Sequence, residues 1–461
     1  MNGAPAVWGA GGGAAAAAGI VERLRASGYE AWFAGGCVRD LLLGRVPDDF
    51  DVATSALPEV VLEMFERTFA VGAHFGVVLV ASDVGEREIV TEVATFRSDG
   101  AYSDGRRPDS VRFSTSAEED VARRDFTING MLLDPLLGGR GTVDATSLDA
   151  AVVDFVGGRA DLAAGVVRAI GDPAVRFQED KLRMLRAVRF AARFDFEIEA
   201  GTASAIRAQA AGISQVSNER VRDELTRMLT EGRARRAFEL LDANGLLAEV
   251  LPEIARMKGV EQPAEFHPEG DVWTHTLMLL EKLQAGVPAT LAWGALLHDV
   301  GKPPTFRRAP DRIRFDGHVE VGVRMAEAIC HRLRFSSDDT AQILSLIENH
   351  MRFGDVMRMK ESTLKRFFRL PSFEQHLALH RMDVLSSFGD LTLYDFARQR
   401  YETMPAEHVR PALLVTGKDL IEAGYRPGPG FKAMLAAVED AQLEGRVHSK
   451  DEGLALVKSS F

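Results

Sequence analysis

A chain of 461 residues is too long for one ordinary hydrophobic core, so two to four domains are expected. Its composition, 46% hydrophobic and 26% charged, is that of a globular protein, and two cysteines, Cys37 and Cys330, exclude a disulfide framework and suit a reducing cytoplasm. A net charge of −12 argues against a general nucleic-acid binder, and no apolar run is long enough for a membrane span.

The first 25 residues are Ala/Gly-rich without a basic leader, which predicts a low-complexity lead-in and a first helix, not a signal peptide. Residues 26–150 mix strand and helix signals, with strands expected at Tyr29–Ala34, Phe50–Ala53, Phe75–Ala81, Glu88–Phe96 and Val111–Phe113. Residues 151–255 are long amphipathic stretches with few breakers, a helical neck. Residues 256–400 are again helical with histidines at helix ends, and 401–461 form a tail of surface helix or loop broken by the RPGPG run at 426–430. Charge is uneven. Residues 1–150 carry 13 Lys+Arg against 23 Asp+Glu; residues 151–250 carry 15 against 15, all Arg but Lys181. An RNA-facing surface should therefore be local and arginine-based.

The segment Ala34–Thr54, AGGCVRDLLLGRVPDDFDVAT, holds the first chemical constellation. Gly35 and Gly36 follow a strand and precede a helix, which makes either a plain tight turn or a place where backbone N–H groups approach a phosphate. Arg39, one turn on, can pair with a triphosphate. Asp49 and Asp51, at i and i+2 in a strand, leave the same face and repel unless a cation lies between them. The alternative is an acidic loop entering a strand. Mg²⁺ takes carboxylates and substrate phosphates together, and Glu92 is a candidate third carboxylate, with Glu88 on the same face as its competitor.

These residues resemble the head of polymerase-β-like nucleotidyltransferases, most closely the class II CCA-adding enzymes and bacterial poly(A) polymerases, through GG-x-VRD-x-LLG followed by D-x-D and a nearby Thr. The resemblance implies an α+β fold: a nucleotidyltransferase head with a mixed sheet and helices, then an all-α neck and an all-α HD domain. It extends to RRDFTIN, where it implies that Arg124 touches the nucleotide's sugar or phosphate and that Asp125 and Asn129 brace the fold. It extends again to Glu179–Phe194, where Arg183, Arg186, Arg189 and Arg193 recur at helical spacing. The bland reading of that stripe is a solvated basic face. The sharper one pairs Asp180 with Arg183 at i and i+3 on one helix face. A carboxylate accepts and a guanidinium donates, which matches the donor–acceptor order of cytosine and adenine and mismatches uracil and guanine. The family's EDxxR motif implies this use, with Arg186 and Arg189 as further nucleotide or phosphate contacts. NERVRDELTRML resembles the neck motif ERxxxEL, and Glu219, Arg220 and Glu224 are expected as salt-bridge scaffolding.

Both CCA addition and poly(A) or A-only addition use this head. Phe96–Phe113 resembles the flexible loop of full CCA-adding enzymes, and the C-terminal tail is only mildly basic, so CCA addition to the tRNA 3′ end from CTP and ATP is the expected reaction. In the back half, His275, His298-Asp299, His318, His350 and Asp383 fall in the order H…HD…H…H…D. Single histidines are commonly core residues, but the set can ligate a divalent transition metal or Mn²⁺. The HDxGK string resembles HD-superfamily phosphohydrolases, which implies His275, His298, Asp299 and Asp383 as core ligands, with His318 and His350 completing a second site. A degenerate HD domain that only supports RNA is the alternative, as is an RNA-processing HD hydrolase with a non-catalytic head.

Overall fold

The computed structural model describes residues 12–70, 76–99, 111–137, 145–265, 267, 268 and 270–461. The loop resemblance in Phe96–Phe113 falls largely outside the described residues, as do Phe75 and residues 1–11 of the lead-in. Contacts divide the chain into two compact units: residues 1–228 with 236–250, and residues 229–235 with 251–461.

The first unit is built on a mixed sheet. Strands β1 (Ala31–Ala34), β2 (Asp51–Thr54), β3 (Thr68–Phe69), β4 (Val77–Val84) and β5 (Arg87–Thr95) are joined, after a ribbon of β6 (Arg97–Asp99) and β7 (Val111–Phe113), by β8 (Met131–Leu133) and β9 (Val152–Asp154). The seven-stranded order is β3-β4-β5-β2-β1-β8-β9. Only β2 and β5 run parallel in it, with Val52 opposite Val93; the other pairs are antiparallel. Alternation then sorts the side chains. Val52 and Val93 are buried on one face, while Asp51 and Glu92, each one residue earlier, emerge together on the other.

The alanine-rich start becomes the helix Gly12–Ala26, whose Ala14, Ala17, Ile20, Val21 and Leu24 are buried and which lies against β1, β2, β4 and β5. The carboxylate-bearing face carries Ala34, Ala53, Phe96, Val121 and Leu132, and the helix Ala117–Ala122 packs there. Ser116 caps that helix by accepting from Glu119 N–H, and Glu118, Glu119 and Asp120 in its first turn suit the positive end of the helix dipole. It ends by delivering Arg123 and Arg124 beside the sheet.

The neck is helical, as its periodicity predicts, but Glu179–Phe194 is not one continuous helix. Pro173–Glu179 ends at Asp180, which is extended at φ −143° and ψ 105°, and Leu182–Phe194 begins anew. Asp180 Oδ1 accepts from Leu182 N–H at 3.0 Å, the capping role for which a short acidic side chain is suited.

Among its described residues the second unit is helical apart from a two-stranded ribbon, Arg307–Arg308 with Ile313–Arg314, and an isolated bridge between Glu261 and Asp271. The tail adds Ala406–Val409, Gly417–Glu422, Gly430–Leu443 and Lys450–Ser460, with a small core of Val415, Leu420, Val438 and Val457. RPGPG does interrupt it. No helix among the described residues is long and apolar enough to cross a membrane, and both cysteines are buried and unbridged.

Candidate active site and candidate metal centre

A cavity of about 550 Å³ opens in the first unit. Gly35, Gly36, Arg39, Asp49, Asp51, Arg124, Asp180, Arg183 and Arg186 line it, together with Arg123, Asp125, Asn129, Phe190, Arg220 and Arg227. Seven arginines (39, 123, 124, 183, 186, 220 and 227) against four aspartates make it a local cationic pocket in an acidic chain.

The carboxylates Asp49 and Asp51 form one part of its lining. Asp49 is not in a strand, contrary to the sequence expectation. β1 ends at Ala34, the partner of Asp51, and Gly35 then turns away at φ +77°, so Asp49 and Phe50 have no ladder partner. Asp49 nonetheless stays within electrostatic reach of Asp51 and Glu92. Burial, then Glu92 and Asp49, push the Asp51 carboxyl up to about 7, while Arg124 opposes the rise. Burial and Asp49 likewise raise Glu92. Glu88 sits four residues along β5, half-exposed and paired with Arg67 at 3.0 Å, so the register favours Glu92 as the third carboxylate.

The wall beside them is the glycine turn. Gly35 needs its positive φ, and a Cβ there would stand 3.2 Å from Arg124 Nη1. Arg124 is held in place by donating to Asp120 at 2.9 Å. Arg39 is only 4% exposed; it donates to Asp40 and to Asn129 at 2.6 Å and lies over the Phe190 and Phe194 rings. Arg186 pairs with Asp125 at 2.6 Å. Although burial raises it, Arg186, Asn129 and Phe126 N–H hold the Asp125 carboxyl down at about 2.

Asp180 and Arg183 share the cavity but not a helix face, which corrects the i, i+3 expectation. The break at Asp180 separates them: Asp180 accepts from Arg220 at 2.9 Å, and Arg183 donates to Glu179 at 2.7 Å and to the Arg123 carbonyl at 3.1 Å. Arg220, expected as scaffolding, therefore reaches the cavity. An acidic side chain brought to a pocket needs a cation, and Arg220, in the ER pair of the neck helix Asn218–Thr230, supplies it. Arg189 is also corrected. It does not line the cavity; it is 4% exposed and donates to buried Glu224 at 2.7 Å, because position 189 faces the helix Asn218–Thr230.

The second unit gathers the histidines. Asp271 caps Val272–Leu280, which presents His275; the apolar helix Ala289–Leu297 ends at His298-Asp299; Phe373–Leu385 carries Asp383. His275 Nε2 lies 3.0 Å from Asp383 Oδ1, and His298 Nε2 lies 3.2 Å from Asp299 Oδ2. His318 and His350 Nε2 lie 3.9 and 4.0 Å from Asp299 Oδ1. Two groups able to hold a metal result, His275–His298–Asp299 and Asp299–His318–His350, sharing Asp299. Gly301 has an ordinary φ of −82°, and a Cβ there would strike the His318 carbonyl at 2.1 Å, so close approach is what requires glycine.

Three comparisons bear on these sites. Residues 31–168 match the family described as the poly A polymerase head domain, 195–258 the probable RNA and SrmB-binding site of polymerase A, and 271–385 the HD domain. The CCA-adding enzyme of Geobacillus stearothermophilus is 32% identical over 446 residues, 95% of this chain and 94% of that one. This chain belongs to the CCA-adding enzyme family. A second member, from Lactobacillus helveticus, is 38% identical over 442 residues, covering 94% of both chains. The crystal structure of the Bacillus stearothermophilus CCA-adding enzyme in complex with CTP superposes with a TM-score of 0.71 at 28% identity, over 96% of each chain.

In this family member the HD cluster fits divalent cations on its own chemistry. Nδ1 of His298, His318 and His350 faces the carbonyls of Ala295, Phe315 and Ile347 at 2.8, 3.0 and 2.6 Å. A carbonyl only accepts, so Nδ1 carries the proton and Nε2 keeps its lone pair. Those three Nε2 atoms are buried without a hydrogen-bond partner. Burial, then His298, lowers His350 to about 4, and burial lowers His318, which keeps both rings neutral as ligands must be. Burial raises Asp299, but Lys302, and His298 whenever its ring is charged, hold it well below the usual carboxylate range.

Two expected outcomes follow from these sites. The Arg189–Glu224 pair has both side chains 5% exposed, so Arg189→Met, which leaves buried Glu224 the more distant Arg227 at 3.8 Å, lowers unfolding free energy by about 3–5 kcal/mol, and Arg189→Met with Glu224→Leu recovers most of it. Urea unfolding of the three proteins decides this. The second concerns Asp51. With a folded-state value near 7 against an ordinary 3.8, folded protein holds that proton more tightly, so stability declines as pH rises between those values and stays lower above them. In metal-free buffer Asp51→Asn should therefore unfold at a higher Tm than the parent at pH 8 and at the same Tm at pH 4; equal Tm at both pH values counts against the arrangement.

Proposed function

We infer that this chain adds CCA to tRNA 3′ ends, taking CTP and ATP and releasing pyrophosphate in the cytoplasm. One observation carries the reading: a single cavity is lined both by Asp49 and Asp51 and by Asp180, Arg183 and Arg220. Carboxylates for a metal and a donor–acceptor set for a base edge are the two things a nucleotide-transferring pocket needs together.

Asp49, Asp51 and Glu92 would hold Mg²⁺, and their clustering, with the Asp51 and Glu92 carboxyls shifted upward, supports this. When bound, Mg²⁺ supplies charge stabilisation for the attacking 3′-hydroxyl and the departing pyrophosphate. The protein's own part is placement. Gly35 and Gly36 keep one wall free of side chains, Arg124 stands beside them for the phosphates, and Arg39, already satisfied by Asp40 and Asn129, stiffens the floor. Arg186 contributes positive potential while tied to Asp125. Asp180 offers an acceptor oriented by Leu182 N–H and Arg220, and Arg183 a donor oriented by Glu179. Cytosine and adenine meet this order; uracil and guanine leave mismatched buried groups at about 1–3 kcal/mol each.

Incubation with tRNA lacking its last three nucleotides, and with each NTP alone and together, tests the reading. CTP alone should extend by two nucleotides, CTP with ATP by three, and UTP or GTP by none. Unlimited ATP addition would instead mark a poly(A) polymerase, and a single A the A-only reaction.

A second activity is favoured by the orphaned imidazoles. We propose that His275, His298, Asp299 and Asp383, with His318 and His350, hold a divalent transition metal or Mn²⁺ for hydrolysis of phosphate esters, 2′,3′-cyclic phosphates among them. The shared Asp299 supports a paired arrangement. A metal at this site would supply a hydroxide nucleophile at neutral pH.

A further inference from the structure

The HD cluster has unmet needs of two opposite kinds. Nε2 of His298, His318 and His350 are lone-pair acceptors without a donor, which calls for a cation. Joined to the cluster through Lys302 is Gln262, 94% buried, whose Nε2 is a donor without an acceptor. Its amide orientation follows from its neighbour: Oε1 takes the Lys302 ammonium at 2.6 Å, and turning the amide over would set N–H against N–H. Lys302 in turn contacts the Asp299 carboxylate at 2.7 Å and lies over the Phe315 ring. Gln262 is thus one side chain removed from the carboxylate shared by both metal-holding groups.

A cation alone would leave the amide donor orphaned, and an unsatisfied buried donor is costly. A metal carrying an oxygen ligand answers both needs at once. We propose that Gln262 donates through Nε2–H to a non-bridging oxygen of a phosphate group seated on the HD cluster, and that its Oε1 positions Lys302 against Asp299. The ligand class is inorganic phosphate or a phosphate ester. This rests on the reading that the cluster holds divalent cations.

The test is calorimetric titration of inorganic phosphate into the full chain loaded with Mn²⁺, with Mn²⁺ content and affinity measured separately. The phosphate component lost in His298→Ala is the one that belongs to the cluster. Gln262→Met, similar in length but with no donor, should weaken that component about tenfold while Mn²⁺ affinity stays near the parent value. Gln262→Glu keeps the Lys302 contact but puts an acceptor where the donor was, and should weaken it further; if the Met variant does not fold, this one decides. Parent-like phosphate affinity in a folded variant means that the amide faces water only and overturns the proposal. Equal losses of Mn²⁺ and phosphate affinity reduce Gln262 to a support for Asp299 and also overturn it. If His298→Ala binds Mn²⁺ as the parent does, the metal reading itself fails and takes the proposal with it, an outcome separate from failure at Gln262.

Discussion

Asp51→Asn should lower CTP and ATP incorporation by at least about a thousandfold while leaving tRNA affinity nearly intact. The substitution preserves size and removes a single charge. That charge is costly where it stands: burial, Glu92 and Asp49 all disfavour it, to the point that half of it is neutralised near pH 7 in the metal-free protein. A site that gathers three carboxylates against their mutual repulsion needs cations, and removing the most deeply strained member removes the largest share of the field that binds them. Glu92→Gln should cost less, about 10- to 100-fold, because Glu92 is more accessible and shares its work with two aspartates. Single-turnover incorporation with saturating nucleotide measures both. Activity within tenfold of the parent for Asp51→Asn would remove the carboxylates from the chemistry.

His298→Ala should abolish hydrolysis of a 2′,3′-cyclic phosphate, a loss of at least about a hundredfold, and lower the bound transition-metal content, with CCA addition unchanged. His298 is 1% exposed, so truncation also opens a cavity. Asp299→Asn controls for this, since it keeps the volume and removes the one group shared by both metal-holding sets. The two variants should agree in metal content and hydrolysis even where their stabilities differ. Full hydrolysis by either would place that reaction elsewhere in the chain.

The strands were legible where apolar alternation was strong. β7 falls on Val111–Phe113 as its pattern predicts, and β5 and β1 differ from expectation only at their ends. β3 was missed because two residues hold no period, and β8 and β9, MLL and VVD, because they do not alternate. The site was legible as a list of residues and less so as geometry. Glycine, aspartate and arginine types announce their chemistry locally, which is why Gly35, Asp51 and Arg124 in the first unit, and the HD histidines in the second, could each be picked out. Arg189 could not be told from Arg186 by spacing, because both lie on the same stripe and only the position of the Asn218–Thr230 helix decides which one it covers. Arg220 was read as a brace for the same reason in reverse: its partner Asp180 is 40 residues away in sequence. The break at Asp180 was hidden by an unbroken helical pattern, and a side chain capping its own backbone is a tertiary outcome that periodicity does not encode.

The parallel pairing of β2 with β5 has a consequence for how this enzyme comes to be active. Asp51 and Glu92 are neighbours only because Val52 lies opposite Val93. Sliding β5 by a single position would preserve nearly all of the ladder yet turn Glu92 to the opposite side of the sheet. A refolded population could then look native by circular dichroism and still contain molecules that never transfer a nucleotide. Specific activity per folded chain thus reports strand alignment more sharply than any measure of secondary structure.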